Sequence, residues 1–410
     1  LTGQKIYITF GDHDLTEQIV HLVLARLPDA PSGTKGISLF IVPRRLVAAD
    51  GTLAADNDVR VVSIEHKLGI HGSPTCVMAF GEGGEGAIAE LVGAPHDGMR
   101  QMFTMMNDAR LGVGVQGVAV AERAYQRALA YAIERRQGRA PGAAPGEPSR
   151  IVEHPDVRRM LLTQRSGVMA ARALCLATAH ALDLASHHPD GEVREQQRRM
   201  ADLLTPLAKA WSTDLGVELT SIALQVHGGM GYVEETGVAQ HLRDARIAPI
   251  YEGTNGIQAI DLVLRKLPVA DGAVVLGLLD RLDEELSTGA AVLPEVAEAV
   301  RARILEVRAL TTHLLERRGE PVDVLAAATP YLRALATVIG GALLVRGAIA
   351  ARRRLDAGGL DGAEAEHLEG WLAATRFFAL QVVPVVDGLA PAIRAAGTDL
   401  MTVTPSSLVG

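Results

Sequence analysis

The first 98 residues alternate short apolar runs with turn-forming residues, and this pattern predicts a β region. The runs are rich in branched apolar side chains, and Gly, Pro, Asp and Asn separate them. Their spacing favours an antiparallel sandwich or barrel over strands that alternate with helices. We therefore predict strands over residues 5–10, 21–27, 37–43, 59–66 and 76–80.

From residue 99 onward, apolar residues recur at intervals of three and four, which predicts long helices. Three glycines in the first helix, Gly112, Gly114 and Gly117, mark positions where a neighbouring helix can approach closely. The segment 228–231 is expected to end the third helix, because glycine readily adopts the left-handed cap conformation. The predicted helices cover residues 99–137, 156–188, 193–227 and a shorter segment after Thr254.

Residues 271–410 are Ala-rich and show only helical periodicity, which predicts helices over 276–289, 291–318, 322–355 and 362–398. The longest apolar stretch, 334–351, contains Arg346 and two glycines, so we expect a buried helix and no transmembrane segment. The predicted fold class is α+β. It combines a partial β-barrel or sandwich domain (1–98), an α-helical bundle (99–268) and a further C-terminal helical domain (271–410).

The net charge of −8 is spread along the chain, and nothing in it indicates the basic patch that nucleic-acid binders usually carry. Aromatic residues make up only 3%, and the Ala, Leu and Val that take their place suit packed helices. The two cysteines, Cys76 and Cys175, lie far apart and at no metal-ligand spacing. We expect free buried thiols in a reducing compartment, no metal site and a cytoplasmic location.

Glu252 lies in the segment 249–254 (PIYEGT), after an apolar stretch and an aromatic ring and before a glycine. Apolar surroundings raise the pKa of a carboxylate, and a base nearer neutrality suits removal of a proton from carbon. Thr254 is a plausible N-cap, and the helix start beside it could accept an anion such as a phosphate. An ordinary carboxylate at a helix start is the alternative. The helix is expected to present an apolar face of Ile257, Ile260, Leu264 and Leu267.

The segment 225–232 (QVHGGMGY) has two interpretations. It is either a helix cap with a tight turn, or a glycine turn that admits a cofactor, with Gln225 as a polar clamp. Its glycines do not follow a strand within a βαβ unit, so a Rossmann site is excluded by context. His227 has no second ligand at metal spacing, which favours a structural role.

Two further segments place charges on helices. In 131–139 (YAIERRQGR), the charges either form a solvated helix end or allow Arg135 and Gln137 to grip a pyrophosphate. In 105–110 (MMNDAR), Arg110 enters a long apolar helix, where it either pairs with an acid or faces a pocket. The residues alone leave these alternatives open.

These four segments occur in one order, together with residues 5–9 (KIYIT) and 67–75 (KLGIHGSPT). The joint pattern resembles the acyl-CoA dehydrogenase family over residues 1 to about 268. The C-terminal block resembles the extra helical domain of a subgroup with longer chains. Bacterial fatty acyl-CoA and methylmercaptopropionyl-CoA dehydrogenases belong to that subgroup.

The resemblance implies a role in fatty acid β-oxidation, with Glu252 as the base that removes the α-proton of an acyl-CoA. The β-hydride would pass to flavin N5 and leave a trans-2-enoyl-CoA. Some relatives carry the base at the position of Ala109, which cannot act as one. The implied substrate-binding residues are Arg110, Asn107, Tyr251 and Gly253. The implied FAD contacts are Tyr7, Thr9, Arg135, Gln137, Gln225, Gly228, Gly229, Thr254 and Gln258.

The resemblance also implies partners: an acyl-CoA substrate, an electron-transfer flavoprotein, and a second subunit that shares the FAD site. We therefore expect a homo-oligomer, a dimer or a tetramer. An acyl-CoA oxidase that passes electrons to oxygen is one alternative. A non-catalytic scaffold that retains the fold is another.

Two departures from the family pattern bear on these expectations. Many relatives have Phe-Gly soon after the arginine at 135, where this chain has Gln137, Gly138 and Arg139. The family fold begins with a helical domain and a flavin-binding strand segment, and this chain starts after both. We expect that these 410 residues hold only part of the flavin and acyl pocket, and that this piece alone is inactive.

Overall fold

The computed structural model describes residues 1–84, 86–395 and 397–409. The chain divides into two compact units, Leu1–Ala109 and Arg110–Gly410. The long helix α1 (Gly98–Glu134) begins in the first unit and continues into the second. Most described residues are helical, with strands confined to the first unit, so the predicted α+β fold class is confirmed.

The first unit is built from antiparallel strands in three small sheets, in the orders β1-β7-β6, β2-β3-β8 and β4-β5. The five predicted strands are present, and β4, β5 and β8 are additional because two to four residues give too short a pattern to recognise. The strands are β1 (Gly3–Thr9), β2 (Val20–Arg26), β3 (Ile37–Pro43), β4 (Arg45–Val47), β5 (Leu53–Asp56), β6 (Val59–Ile64), β7 (Thr75–Phe80) and β8 (Glu90–Leu91).

The two three-stranded sheets share one apolar core. Strand β7 contributes Cys76, Met78 and Phe80, which lie two residues apart and so point to the same face. Strands of the other sheet contribute Val23 and Phe40. A shared core between two antiparallel sheets is the arrangement of a sandwich.

The second unit consists of helices, and the predicted long helices agree with the observed bounds within a few residues. Helices α2, α8 and α9 begin at a proline, whose fixed φ suits the first helical turn. After α1, the helices are α2 (Pro155–His187), α3 (Gly191–Val226), α4 (Gly229–Tyr232), α5 (Ala239–Ala245), α6 (Asn255–Asp261), α7 (Ala273–Gly289), α8 (Pro294–Glu316), α9 (Pro321–Asp356), α10 (Gly362–Phe377), α11 (Val385–Arg394) and α12 (Thr398–Met401).

Helices α1 and α3 approach closely at two of the three glycines expected to allow it. A Cβ on Gly114 would lie 2.8 Å from the carbonyl oxygen of Ala208, and one on Gly117 would lie 2.6 Å from that of Ser212. The expectation is wrong at Gly112, where no described atom lies within 4 Å of such a Cβ.

A single core cluster joins the helices before residue 268 to those after it, so the predicted boundary between two helical domains stays a prediction. Within the part of the chain that the structure describes, three helical stretches could cross a membrane by length and composition: Pro155–His187, Pro321–Asp356 and Gly362–Arg394. The most apolar window of the second is 78% buried within the fold, which confirms the predicted buried helix. The windows of the other two are 44% and 33% buried. Cys76 and Cys175 are both free and buried, as predicted.

Two expectations about helices are wrong. The predicted helix 362–398 is divided into α10 and α11 by a π-helical turn (Phe378–Val382) and the two residues after it, Val383 and Pro384, and α11 ends at Arg394. A π-helical turn (Leu262–Lys266) continues α6, and the expected apolar face of this helical segment is largely exposed: Ile257, Ile260 and Leu264 are 46%, 37% and 46% exposed. Of that predicted face only Leu267 is buried. Residues Ala259, Leu262 and Val263 enter the core instead.

Candidate functional site

Glu252 lies on a closed loop between α5 and α6. The backbone N–H of Asn255 donates to the carbonyl oxygen of Pro249 at 2.9 Å and closes this loop. Glu252 and Gly253 both have left-handed backbone, with φ of 56° and 81°. For a non-glycine residue this conformation costs about 1–2 kcal/mol, and such strain concentrates at functional sites. Glu252 is half-buried.

Gly253 has no room for a side chain. A Cβ there would lie 2.9 Å from Nε2 of Gln258 and 4.0 Å from a guanidinium nitrogen of Arg110. Gln258 is fully buried, and its amide atoms have no hydrogen-bond partner among the described residues. Its side chain lies beside Gly253, and the contact with FAD stays a prediction.

Of the predicted substrate contacts, Arg110, Tyr251 and Gly253 come together in the second unit. Arg110 is buried next to Gly253. The hydroxyl of Tyr251 donates to Oε1 of Gln116 on α1. Burial raises the pKa of Tyr251, and the nearby charge of Glu252 adds to the rise. Asn107 is exposed on the part of α1 that belongs to the first unit.

Thr254 caps α6, as predicted. Its Oγ1 accepts a hydrogen bond from the backbone N–H of Ile257 at 3.2 Å. This bond satisfies one of the N–H groups that a helix start leaves unpaired. The side chain of Thr254 is thereby engaged in the cap, on the same short segment that carries Glu252.

Lys209 is a residue of this site that the sequence interpretation missed. It is fully buried on α3, and its Nζ donates to the carbonyl oxygen of Gly253 and to Oδ1 of Asn255, both at 2.8 Å. Burial lowers the pKa of Lys209 to about 8, and the charge of Asp214 opposes this effect. The available signal was a single lysine within an apolar stretch of α3, since lysine is almost never fully buried without partners.

Five predicted cofactor residues line one groove of about 620 Å³. It lies between the end of α1, the loop that follows and the end of α3. The loop is fixed at its base, because the backbone N–H of Gln137 donates to Ser149 at 3.0 Å. Gly228 ends α3 with φ 59° and ψ −139°, a conformation open to glycine. The five residues are Arg135, Gln137, Gln225, Gly228 and Gly229.

The groove has an aromatic wall and an exposed polar rim. The rings of Tyr131 and His227 stack with their centroids 4.5 Å apart. Nδ1 of His227 lies 2.8 Å from the carbonyl oxygen of Ala223, and burial lowers the pKa of His227. These contacts support the structural role expected for His227. The rim residues Arg135 and Gln225 are exposed, so a cation and an amide are available to a ligand.

The first unit holds the two predicted flavin contacts on the edge strand β1. Tyr7 has φ 60° at a register shift of this strand and is 69% exposed. Thr9 pairs with Thr75. The loop before Thr75 is held by Lys67, whose ammonium donates to Ser73 and, at 2.9 Å, to the hydroxyl of Thr75. Among the described residues, no group of three or more His, Cys, Asp or Glu could hold a metal ion.

Comparison with known proteins shows which family the chain belongs to. The model of the acyl-CoA dehydrogenase C-terminal domain matches residues 96–267, and that of the acetyl-CoA dehydrogenase C-terminal-like domain matches 278–404. The 3-methylmercaptopropionyl-CoA dehydrogenase of Ruegeria pomeroyi is 44% identical over 406 residues, which are 98% of this chain and 68% of that protein. The chain belongs to the acyl-CoA dehydrogenase family.

Other members of the family agree with this assignment. A butyryl-CoA dehydrogenase of Syntrophomonas wolfei is 36% identical over 97% of this chain and 66% of its own length. The crystal structure of an acyl-CoA dehydrogenase of Bacillus anthracis complexed with FAD matches with a TM-score of 0.66 and 19% identity. That match covers 100% of this chain and 66% of the other. The chain thus spans about two thirds of the length of these three proteins, in a family of FAD-dependent oxidoreductases.

Proposed function

We propose that the protein carrying this chain is an FAD-dependent acyl-CoA dehydrogenase in which Glu252 removes the α-proton of the thioester. The observation that supports this most directly is the conformation of Glu252: a carboxylate on a closed, left-handed loop, beside the buried cation Arg110. A carboxylate held in this way can accept a proton from a carbon acid without a change in the backbone conformation of its loop. The product would be a trans-2-enoyl-CoA.

The groove residues fit the polar half of FAD. Arg135 offers guanidinium donors to a pyrophosphate, and Gln137 and Gln225 offer amide groups to the adenosine end. Gly228 and Gly229 leave the backbone accessible, since no described atom lies within 4 Å of a Cβ at either position. When bound, FAD supplies the acceptor for the β-hydride. Tyr7 and Thr9 are proposed to lie beside its ring, and the Thr254 segment to approach it after the base.

Within the chain's own residues, Glu252 takes the α-proton onto its carboxylate, and Tyr251 and Arg110 border the place where the thioester binds. Gln116 fixes the Tyr251 hydroxyl, and the lack of a side chain at Gly253 leaves Gln258 in place beside the loop. Asn107 is proposed as a further substrate contact.

The groove opens at the surface, which supports a further proposal that the FAD is shared between two subunits of a homo-oligomer, a dimer or a tetramer. Electron-transfer flavoprotein is the proposed electron acceptor. A role in fatty acid β-oxidation follows from this activity, and the cytoplasmic location stays a prediction.

Replacement of Glu252 by Gln in the full-length protein tests the assignment. We expect acyl-CoA turnover to fall by about 10²–10⁴-fold, because the amide cannot accept the proton. FAD content should be unchanged. The measurement is anaerobic bleaching of the flavin by a panel of acyl-CoA thioesters, with Glu235→Gln as the matched control on an exposed carboxylate.

Each alternative has its own outcome in this experiment. Turnover near that of the wild type in Glu252→Gln would show that Glu252 is not the base. Hydrogen peroxide formed at the rate of enoyl-CoA formation would identify an oxidase. A colourless full-length protein that takes up no FAD would identify a scaffold.

A further inference from the structure

Lys209 presents a buried positive charge directly below the loop that carries Glu252. Burial of an ammonium group is costly unless hydrogen bonds and opposite charges compensate it. Both oxygens that accept from its Nζ, on Gly253 and Asn255, belong to that loop and to the first residue of α6. The loop therefore rests on a cation that comes from a distant position in the sequence.

The charged groups that face Lys209 come from three elements. Asp214 on α3 and Glu252 on the loop favour the ammonium form, and Arg110 on α1 opposes it. Although burial lowers the pKa of Lys209 to about 8, the group is protonated at neutral pH. It then has three N–H donors and no acceptor, so it can hold oxygen atoms of the loop but not N–H groups.

Asn255 joins the loop to the rest of α3. Its Nδ2 donates to the carbonyl oxygen of Ala210 at 3.0 Å and to Oδ1 of Asp214 at 2.7 Å. Its backbone N–H donates to Pro249 and closes the loop. Its Oδ1 is the atom that accepts from Lys209. Lys209 and Asp214 are therefore the charged members of a polar network that begins at the loop closure and ends on α3.

The carbonyl group held by Lys209 follows Glu252 by one residue. Glu252 and Gly253 form the left-handed pair, so rotation of the next peptide plane would change the backbone that directs the carboxylate. A charge-assisted hydrogen bond resists such rotation more than a neutral one does. A displacement of about 1 Å in a catalytic group can lower the rate about 10²-fold.

We propose that Lys209 is a positioning residue for the reaction assigned to Glu252. Through Gly253 and Asn255 it holds the loop in the conformation that directs the carboxylate at the α-carbon. Lys209 is fully buried beneath the loop and acts only through it. This inference rests on the proposed function, and one arm of its test is independent of activity.

Three variants of the full-length holoenzyme form the test. Lys209→Met removes the ammonium and keeps the bulk of the side chain, and Lys209→Gln retains an N–H donor. Thr220→Val is the matched control, because Thr220 is equally buried on α3 and its hydroxyl donates only within that helix, to Gly216 and Val217.

The first measurement is hydrogen exchange of the Asn255 amide, which reports closure of the loop whether or not the protein is a dehydrogenase. Loss of a hydrogen bond to a charged donor should raise the exchange rate about tenfold or more in Lys209→Met. The rate should be unchanged in Thr220→Val. Unchanged exchange in Lys209→Met would overturn the proposal.

The second measurement is steady-state kinetics with α-deuterated and unlabelled acyl-CoA. In Lys209→Met we expect kcat to fall about 10- to 100-fold, with KM changed less than about threefold. The α-deuterium isotope effect should increase, because proton abstraction becomes slower relative to the other steps. Lys209→Gln should recover part of kcat, a graded rescue that a general loss of packing would not produce.

The two measurements separate the possible failures. Faster exchange with unchanged kcat and isotope effect would make Lys209 a structural support only and overturn the positioning role. A wild-type holoenzyme whose flavin no acyl-CoA bleaches would overturn the proposed function and the chemistry assigned to Lys209 with it. If Lys209→Met does not fold, the same exchange and kinetic measurements on Lys209→Gln and Thr220→Val test the proposal.

Discussion

The polar groups around the Glu252 loop and those around the groove at the end of α3 differ in their exposure to solvent. Around the loop, Lys209, Arg110 and Gln258 are buried. Around the groove, Arg135 and Gln225 are exposed. One helix, α3, contributes to both places, since it carries Lys209 in its middle and Gln225 near its end.

This difference in exposure indicates two different roles for the polar groups. Polar groups enclosed within the chain fix a geometry, and a fixed geometry is what a catalytic base needs. Polar groups left on the surface are available to a ligand that arrives from outside the chain. The contrast is consistent with the proposal that the loop carries the chemistry and the groove binds the cofactor. Three experiments test this division.

Replacement of Arg135 by Ala should have the largest effect on binding. Loss of a hydrogen bond to a charged group is worth about 1.5–3 kcal/mol, or about 10- to 100-fold in the dissociation constant of FAD. The kcat of the molecules that do hold FAD should be unchanged. FAD titration of the apoprotein measures the dissociation constant. Steady-state turnover divided by the bound flavin measures the kcat of the FAD-bound molecules.

Arg139→Ala is the matched control for this experiment, because Arg139 is an exposed arginine of the same loop that does not line the groove. A fall in kcat per bound flavin in Arg135→Ala would break the division between binding groove and catalytic loop.

The buried charge of Lys209 should give the protein a stability that depends on pH. The unfolded chain holds this proton up to the ordinary pKa of 10.5, whereas the folded protein holds it only up to about 8. Between these values the unfolded state binds more protons, so stability rises with pH. After allowance for solvent screening, the gain is on the order of 2 kcal/mol.

Chemical denaturation of the wild type and Lys209→Met from pH 7.5 to about 10 measures this dependence. The difference in unfolding free energy between the two proteins should shift in favour of the wild type as pH rises. Arg135→Met, at an exposed cation, should show no such change with pH. A flat difference for Lys209→Met would show that the lysine is not a desolvated charge.

The smallest expected effect concerns the backbone of the groove. Gly228 has φ 59° and ψ −139°, whereas Gly229 has no positive φ, and a Cβ at either position would have no described atom within 4 Å. Gly228→Ala should therefore cost about 1 kcal/mol through backbone strain alone. Gly229→Ala should be close to neutral. Thermal unfolding of both variants measures the difference, and equal effects would argue against a conformational role for Gly228.

Much of the fold was predictable because it depends on local pattern. The long helices follow from apolar residues at intervals of three and four, and the Thr254 cap follows from a hydroxyl before a helix. The five longer strands follow from short branched runs between turn residues. The residues that line the groove were identified together because their segments occur in a recognisable order.

The exposed face of α6 marks a limit of this pattern. Apolar residues occur on two sides of α6 and of the π-helical turn Leu262–Lys266 that continues it. Residues Ala259, Leu262 and Val263 are buried, whereas Ile257, Ile260 and Leu264 are exposed. Periodicity detects an apolar stripe, but the neighbouring helices decide which of two stripes they cover. The division of the predicted helix 362–398 near Pro384 was not available from proline alone, since Pro206 and Pro330 lie inside α3 and α9 without ending them.

The sequence by itself determined that Glu252 lies between an apolar approach and a capped helix, in a chain with the motifs of one family. Only the tertiary structure decided that Glu252 adopts left-handed backbone and that Lys209 lies beneath it. The physical reason is distance along the chain. Helices, caps and turns depend on neighbours a few residues away, whereas the bonds from Lys209 join residues 44 and 46 positions apart. Such contacts form only when α3 and the loop are packed into one core.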